Sequence, residues 1–297
     1  MFSQYIFWPW FAGLLFLILG VVSARREFLI APGLDKIIAL GRAFAASGLA
    51  CFGAEHMVNI GPFSGMVPGW LPFHPFWVVF FGLALLASAL SLVLNRYTRL
   101  SAALTAVMFM IFVLTLHLPG AIVSPHDRFG WTVALRETSF AAGFLAFAAA
   151  HPPRSKPLIL LARLGTALPY FFFAIMHILH PQNAPGVPLE KLSPPWLFWP
   201  HVWATVTAIF LGAAAIAILF DRRARPATAW LGLWMLLLTL IVYVPMFIPA
   251  NDGRQLIEAV NYVWDTLLFA GTILLLASAM PQKVAVRISE AEAVKAV

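Results

Sequence analysis

Residues 74–118 read HPFWVVFFGLALLASALSLVLNRYTRLSAALTAVMFMIFVLTLHL. Two long apolar runs lie on either side of a short basic turn, NRYTR, at 95–99. An apolar run of about 20 residues is long enough to cross the hydrocarbon core of a bilayer as an α-helix. The runs show no alternation of polar and apolar residues, which excludes the strands of an outer-membrane barrel. This stretch therefore predicts two membrane-spanning helices joined by a basic turn.

Similar apolar segments occur along the whole chain of 297 residues. They cover residues 6–24, 37–58, 74–94, 99–118, 131–151, 157–179, 199–220, 226–249 and 258–280. Hydrophobic residues make up 62% of the chain and charged residues 10%, with a mean hydropathy of +0.88. Soluble domains carry about 25% charged residues, so an ordinary soluble enzyme is excluded. We predict an all-α polytopic membrane bundle of nine spans.

The basic residues are concentrated in alternate junctions between these segments. One set of junctions holds Arg25, Arg26, Lys36, Arg96, Arg99, Arg154, Lys156, Arg222, Arg223, Arg225, Lys283, Arg287 and Lys295. The opposite set holds Arg128, Lys191 and Arg254. The excess of Lys and Arg marks cytoplasmic junctions, so we expect a bacterial-type inner-membrane protein with its N-terminus outside and its C-terminus in the cytoplasm. Because most of the basic residues lie in these junctions, the net charge of +7 does not indicate a nucleic-acid partner.

Landmark residues at fixed spacing indicate an internal duplication. Residues 70–128 align without a gap to residues 196–254. Further pairs outside this alignment are His56 with His177 and Glu137 with Asp265. The predicted organisation is an N-terminal helix and junction (1–36), a first four-helix unit (37–151), a linker (152–157), a second four-helix unit (158–280) and a cytoplasmic tail (281–297). Because four is an even number, we expect both units to enter the membrane in the same orientation, related by a pseudo-twofold axis along the membrane normal.

Each predicted unit contains a small-residue helix that ends in a histidine, followed by an outer loop rich in Pro and Trp. The first unit reads GLACFGAEHMVNIGPFSGMVPGWLPFHPFW at 48–77, and the second reads LPYFFFAIMHILHPQNAPG at 168–186 followed by PPWLFWPHVW at 194–203. These features resemble those of the DoxX/DoxD-like superfamily of small four-helix membrane proteins. The chain differs in lacking an acidic residue early in the next helix, which reads FFGLALLASA at 80–89. The resemblance implies a fused tandem form and redox-linked membrane chemistry.

Ionisable residues inside the apolar segments are the candidates for a functional site, because a charge within a span costs a few kcal/mol. They are Glu55, His56, His117, Arg136 and Glu137 in the first unit, with His177, Tyr243 and Asp265 at the equivalent positions of the second. The predicted topology brings all of them to one depth near the outer leaflet. One interpretation is a pocket in each unit that hydrogen-bonds a quinone and exchanges its proton. The alternative is structural, with Arg136 paired to Glu55 or Glu137, and with His56 and His177 bonded only to interfacial carbonyls or water.

Other ligand classes are less favoured by the same residues. A haem would require His56 and His177 as axial ligands at one depth on facing helices. The sequence contains no local cluster of His, Cys and Asp of the kind that is typical of a metal site. The single cysteine, Cys51, excludes an intramolecular disulfide. Arg42 and Arg163, about one turn inside the cytoplasmic ends of their segments, are expected to bind lipid headgroups.

No catalytic motif occurs in any junction, so at most we expect a membrane subunit of an oxidoreductase. The favoured hypothesis is a redox-associated component that binds quinone or a similar lipid-soluble ligand. A second is a non-catalytic scaffold or assembly factor for a respiratory or transport complex, and a third is a small-solute permease. The expected partners are the lipid bilayer and either a membrane protein complex or further copies of this chain.

Overall fold

The computed structural model describes residues 4–186 and 190–281. Within these ranges the chain is an all-α bundle with nine helices long and apolar enough to cross a bilayer. They are α1 (Gln4–Ile30), α2 (Asp35–Val58), α3 (His74–Leu94), α4 (Thr98–Val123), α5 (Arg128–Ala150), α6 (Lys156–Leu179), α7 (Pro200–Leu219), α8 (Ala224–Phe247) and α9 (Gly253–Ala279). The predicted helical class and the number of spans are confirmed, whereas residues 282–297 of the predicted tail (281–297) lie outside the described residues.

Three of these spans contain irregular segments. The span α2 consists of Asp35–Ala39 and Gly41–Val58, and a short helix, Ile60–Ser64, follows it. A π-helical segment, Val113–His117, interrupts α4 before its last helical stretch, Leu118–Val123. Likewise α8 contains the π-helical segment Thr239–Tyr243 and ends in the 3₁₀ segment Val244–Phe247. Single π-helical turns inside α-helices frequently occur at functional sites.

Aspartate caps explain why two helices begin earlier than the apolar runs predict. Asp127 accepts hydrogen bonds from the backbone N–H groups of Phe129 and Gly130, so α5 begins at Arg128 rather than at 131. Asp252 accepts from the N–H of Gln255, so α9 begins at Gly253 rather than at 258. A capping side chain satisfies N–H groups that have no partner within the helix. A prediction from hydropathy misses the first turns of these two helices because the turns are polar.

The helix α9 forms the centre of the bundle. It packs against α1, α2, α5 and α8, and most of its length is buried. The helices α2, α3, α4, α5 and α9 close a first ring, and α5, α6, α7, α8 and α9 close a second ring that shares the α5–α9 contact. The first helix of each predicted unit therefore packs against the last helix of the other unit.

Local backbone geometry recurs at the spacing of 126 residues that relates the two predicted units. Trp77 donates its indole N–H to Pro72 O at 2.9 Å, and Trp203 donates to Phe198 O at 3.1 Å. Left-handed residues occur in the pairs Phe73 and Trp199, Asn95 and Asp221, and Tyr97 and Arg223. The two π-helical segments also correspond at this spacing. The duplication stays a prediction, and these matched irregularities support it.

Candidate functional site

An ion pair between α5 and α9 lies where the two rings meet. Arg136 Nη1 donates to Asp265 Oδ2 at 2.9 Å, and both side chains are largely buried. The structural alternative predicted Glu55 or Glu137 as the partner of Arg136, and this assignment is wrong. Glu137 is adjacent in sequence, but consecutive residues point about 100° apart around a helix, so it is directed toward α4 instead.

Glu137 forms the second ion pair of the site, with His117 of α4. The distance between Glu137 Oε1 and His117 Nε2 is 3.0 Å. His117 is the last residue of the π-helical segment in α4, which changes the direction in which the side chains after it project. Sequence reasoning identified His117 as a polar residue in an apolar run, but it did not predict this irregularity.

Glu55 and His56 complete the group from α2. Glu55 is buried and lies close enough to Asp265 for electrostatic interaction. The Nδ1–H of His56 donates to Phe52 O at 2.7 Å, and its ring packs edge-on against Phe63. Glu137 in turn lies within electrostatic range of His56. We call Glu55, His56, His117, Arg136, Glu137 and Asp265 the polar cluster; all six belong to helices of the first ring.

Two buried polar atoms of this cluster, Arg136 Nε and Glu137 Oε2, have no hydrogen-bond partner among the described residues. Two further buried atoms without a partner lie on α9: Asn261 Oδ1, and Nε1 of Trp264, whose indole ring packs against Trp10 of α1. A buried donor or acceptor without a partner costs about 1–3 kcal/mol, so native structures contain few of them. Asn261 was not among the sequence candidates; its signal was an amide side chain one turn before Asp265 in an apolar run. Within the cluster, the protein therefore leaves one donor and one acceptor without a partner.

The equivalent place in the second ring is filled by the chain's own backbone. His177 donates from Nδ1 to Phe173 O at 2.7 Å and accepts at Nε2 from the Gly186 N–H at 2.9 Å. Tyr243 donates its hydroxyl hydrogen to Pro185 O at 2.6 Å. Asn183 and Ala184, just before this dipeptide, are also buried. The sequence predicted one pocket in each unit. In the second unit, the Pro185–Gly186 peptide forms hydrogen bonds with the side chains of His177 and Tyr243 that would have faced a ligand.

The same contacts bear on the haem interpretation. Both ring nitrogens of His177 form hydrogen bonds with backbone groups, so neither is free to bind a haem iron. The helices that carry His56 and His177, α2 and α6, do not pack against each other in the part of the chain that the structure describes. The described residues contain no group of three or more His, Cys, Asp and Glu side chains that could hold a metal ion.

Arg42 and Arg163 lie at the other end of the bundle, where headgroup contacts were predicted. Arg42 Nη2 pairs with Glu27 Oε1 at 2.6 Å. Arg163 donates from Nε and Nη2 to Ile218 O and pairs through Nη1 with Asp221, so it caps the C-terminus of α7. The two equivalent arginines thus have different protein partners, and their predicted contact with lipid stays a prediction.

Comparison with known proteins gives one match. A family model described as a domain of unknown function (DUF8561) matches residues 45–136, which is less than half of the chain. The matched region runs from α2 into α5 and contains Glu55, His56, His117 and Arg136. No curated protein and no solved structure matches the chain. The match therefore covers much of the polar cluster without supplying an activity.

Proposed function

We propose that this chain is a DoxX-like protein of a bacterial-type inner membrane that binds a quinone, or a similar lipid-soluble ligand with hydrogen-bonding oxygens, at the polar cluster. The observation that carries the proposal is the pair of buried polar atoms in the cluster that have no partner among the described residues, Arg136 Nε and Glu137 Oε2. A ligand with a carbonyl and a hydroxyl group can satisfy this donor and this acceptor, and an apolar ring system suits the surrounding helices.

The second ring provides an internal comparison for the chemistry of such a ligand. There, His177 accepts a hydrogen bond from a backbone N–H and Tyr243 donates one to a backbone carbonyl. The N–H and the carbonyl belong to the same peptide unit. The corresponding residues of the first ring are His56 and His117. Among the described residues, Nε2 of His56 has no hydrogen-bond partner. A quinone carbonyl or a quinol hydroxyl presents the same acceptor and donor functions as the peptide.

The residues of the cluster would have distinct roles toward this ligand. Asp265 holds Arg136 in place, and a guanidinium group is a strong hydrogen-bond donor to a carbonyl oxygen. His117 Nε2 and Glu137 Oε1 are 3.0 Å apart, so this pair would pass a proton to or from the ligand. A bound quinone would supply the redox chemistry. Glu55 lies close enough to Asp265 to interact electrostatically with the Arg136–Asp265 pair.

Ligand binding to the purified protein tests this proposal. Detergent extracts would be analysed for co-purified quinone and for a Soret band, and a quinone analogue would then be titrated while tryptophan fluorescence is recorded. We expect His117→Gln and Glu137→Gln each to weaken binding about tenfold, which corresponds to the loss of one charged hydrogen bond. Glu190→Gln, which changes an exposed carboxylate, is the matched control.

Unchanged affinity in both cluster variants, or a protein that binds no quinone, would contradict the proposal. The scaffold or assembly-factor function would then be the favoured alternative, and a permease the third.

A further inference from the structure

A cavity of about 430 Å³ lies at the end of the bundle opposite the polar cluster. It is bounded by the end of α1, the loop that follows, the beginning of α2, and residues of α5, α8 and α9. Its polar lining consists of Glu27, Asp35, Arg42, Arg225 and Ser278, whereas Ile30, Phe147 and Leu275 are apolar. The volume is within the range typical of small-molecule pockets, about 300–1,000 Å³. A pocket with both charged and apolar walls suits an amphiphilic ligand.

The two arginines of this cavity differ in how their donors are used. Arg225 pairs with Asp35 at 2.9 Å and donates from Nη1 to Ala277 O at 3.0 Å, so it caps the C-terminus of α9. Arg42 pairs with Glu27 through Nη2, while its Nη1 is buried and has no partner among the described residues. Arg42 therefore lines the cavity and has one donor, Nη1, that the described residues leave without a partner.

The partner of Arg42 is also the more exposed half of its ion pair. The Glu27 side chain is 52% exposed, compared with 12% for Arg42. Because the Glu27 carboxylate is half exposed, water can solvate it when a competing anion replaces it at Arg42. Guanidinium groups bind phosphate through paired, charge-assisted hydrogen bonds, using two nitrogens at once. Replacement of Glu27 would release Nη2 to act together with Nη1.

We propose that this cavity binds an anionic phosphate, with Arg42 as the principal ligand-binding residue and Glu27 as its exchangeable counterion. The phosphate belongs to a lipid headgroup or to a free phosphate. The apolar wall at Ile30 and Phe147 would contact the glycerol and first acyl carbons of a lipid. The basic junctions place this end at the cytoplasmic face, where anionic lipids attract Lys and Arg. The proposal does not depend on the quinone site.

Affinity measurements on the full chain in neutral detergent test this site. The probes are short-chain phosphatidylglycerol, short-chain phosphatidylcholine and inorganic phosphate. We expect phosphatidylglycerol to bind more tightly than phosphatidylcholine, whose ammonium group cancels the anionic charge. Arg42→Gln should weaken phosphatidylglycerol binding about tenfold, as expected for one charged hydrogen bond. Glu27→Gln should tighten it severalfold, because the competing carboxylate is removed.

The control is Arg99→Gln, which alters an arginine at the same end that donates to Pro152 O and does not line the cavity. Displacement of phosphatidylglycerol by inorganic phosphate would identify the phosphate alone as the ligand, and its failure would identify a lipid. Unchanged affinity in both Arg42→Gln and Glu27→Gln, equal affinity for phosphatidylcholine, or an equal loss in Arg99→Gln would overturn the proposal. If Arg42→Gln does not fold, unchanged affinity in Glu27→Gln is sufficient to overturn it.

Discussion

Arg136 of α5 and Asp265 of α9 form an ion pair of 2.9 Å although 129 positions separate them in the chain. The pair connects the two predicted four-helix units at the contact that both rings share. Arg136 Nε has no partner there, and Glu55 lies within electrostatic range of Asp265. The same two side chains therefore join α5 to α9 and form part of the polar cluster.

Removing one member of this pair should destabilise the protein. We expect Asp265→Asn to lower the free energy of unfolding by about 3 kcal/mol, because it leaves the Arg136 charge buried without its counterion. Arg136→Gln should cost a similar amount, and the double variant should cost less than the sum of the two. Unfolding in detergent would give a coupling energy of about 1–3 kcal/mol. Additive effects would show that the two side chains do not interact, and Glu190→Gln, in an exposed pair, is the control with little effect.

The close approach of α2 to α9 depends on Gly48. A Cβ atom at this position would lie 2.5 Å from Leu268 Cβ and 2.9 Å from Trp264 O. We expect Gly48→Ala to destabilise the protein by about 1–3 kcal/mol, because the two helices must move apart. Gly212→Ala in α7 is the matched control: its nearest neighbour would be 3.9 Å away, so the helix preference for Ala should make it neutral or stabilising. Equal thermal stability of the two variants would refute the packing argument.

The loop before α7 should be loosened by Tyr243→Phe. This change removes the hydroxyl that donates to Pro185 O and should cost about 1 kcal/mol. Hydrogen exchange resolved by peptide should show about fivefold faster exchange at the Gly186 amide, as follows from that energy. Amides in α2 provide the internal control and should not change. Unaltered protection of Gly186 would mean that the tyrosine does not hold the loop.

Cysteine labelling tests the proposed orientation. Cys51, the single native cysteine, is buried and should not react with a membrane-impermeant maleimide. Val123 and Tyr97 are both exposed and lie in junctions predicted on opposite sides. We expect Val123→Cys to be labelled in intact cells, and Tyr97→Cys to be labelled after the membrane has been permeabilised. The reverse pattern would invert the topology and place the polar cluster at the cytoplasmic face.

The sequence was sufficient to predict nine spans and the polar residues to examine. Long apolar runs such as 74–94 form helices in lipid because each backbone N–H and C=O must be satisfied within the segment. This requirement is local, so hydropathy predicts it. The helix starts at Arg128 and Gly253 were displaced by a few residues, because the Asp127 and Asp252 caps stabilise polar first turns.

The partners of these residues were decided by the tertiary structure. The choice of Asp265 rather than Glu55 or Glu137 for Arg136 depends on how α5 packs against α9, and the engagement of His177 depends on the position of the Pro185–Gly186 peptide. Likewise Arg42 and Arg163 are equivalent in sequence, but only Arg42 lines the cavity at the end of α1. The spacing of residues along one helix is set by its own sequence, whereas burial, ion pairs and cavities require atoms that different helices bring together.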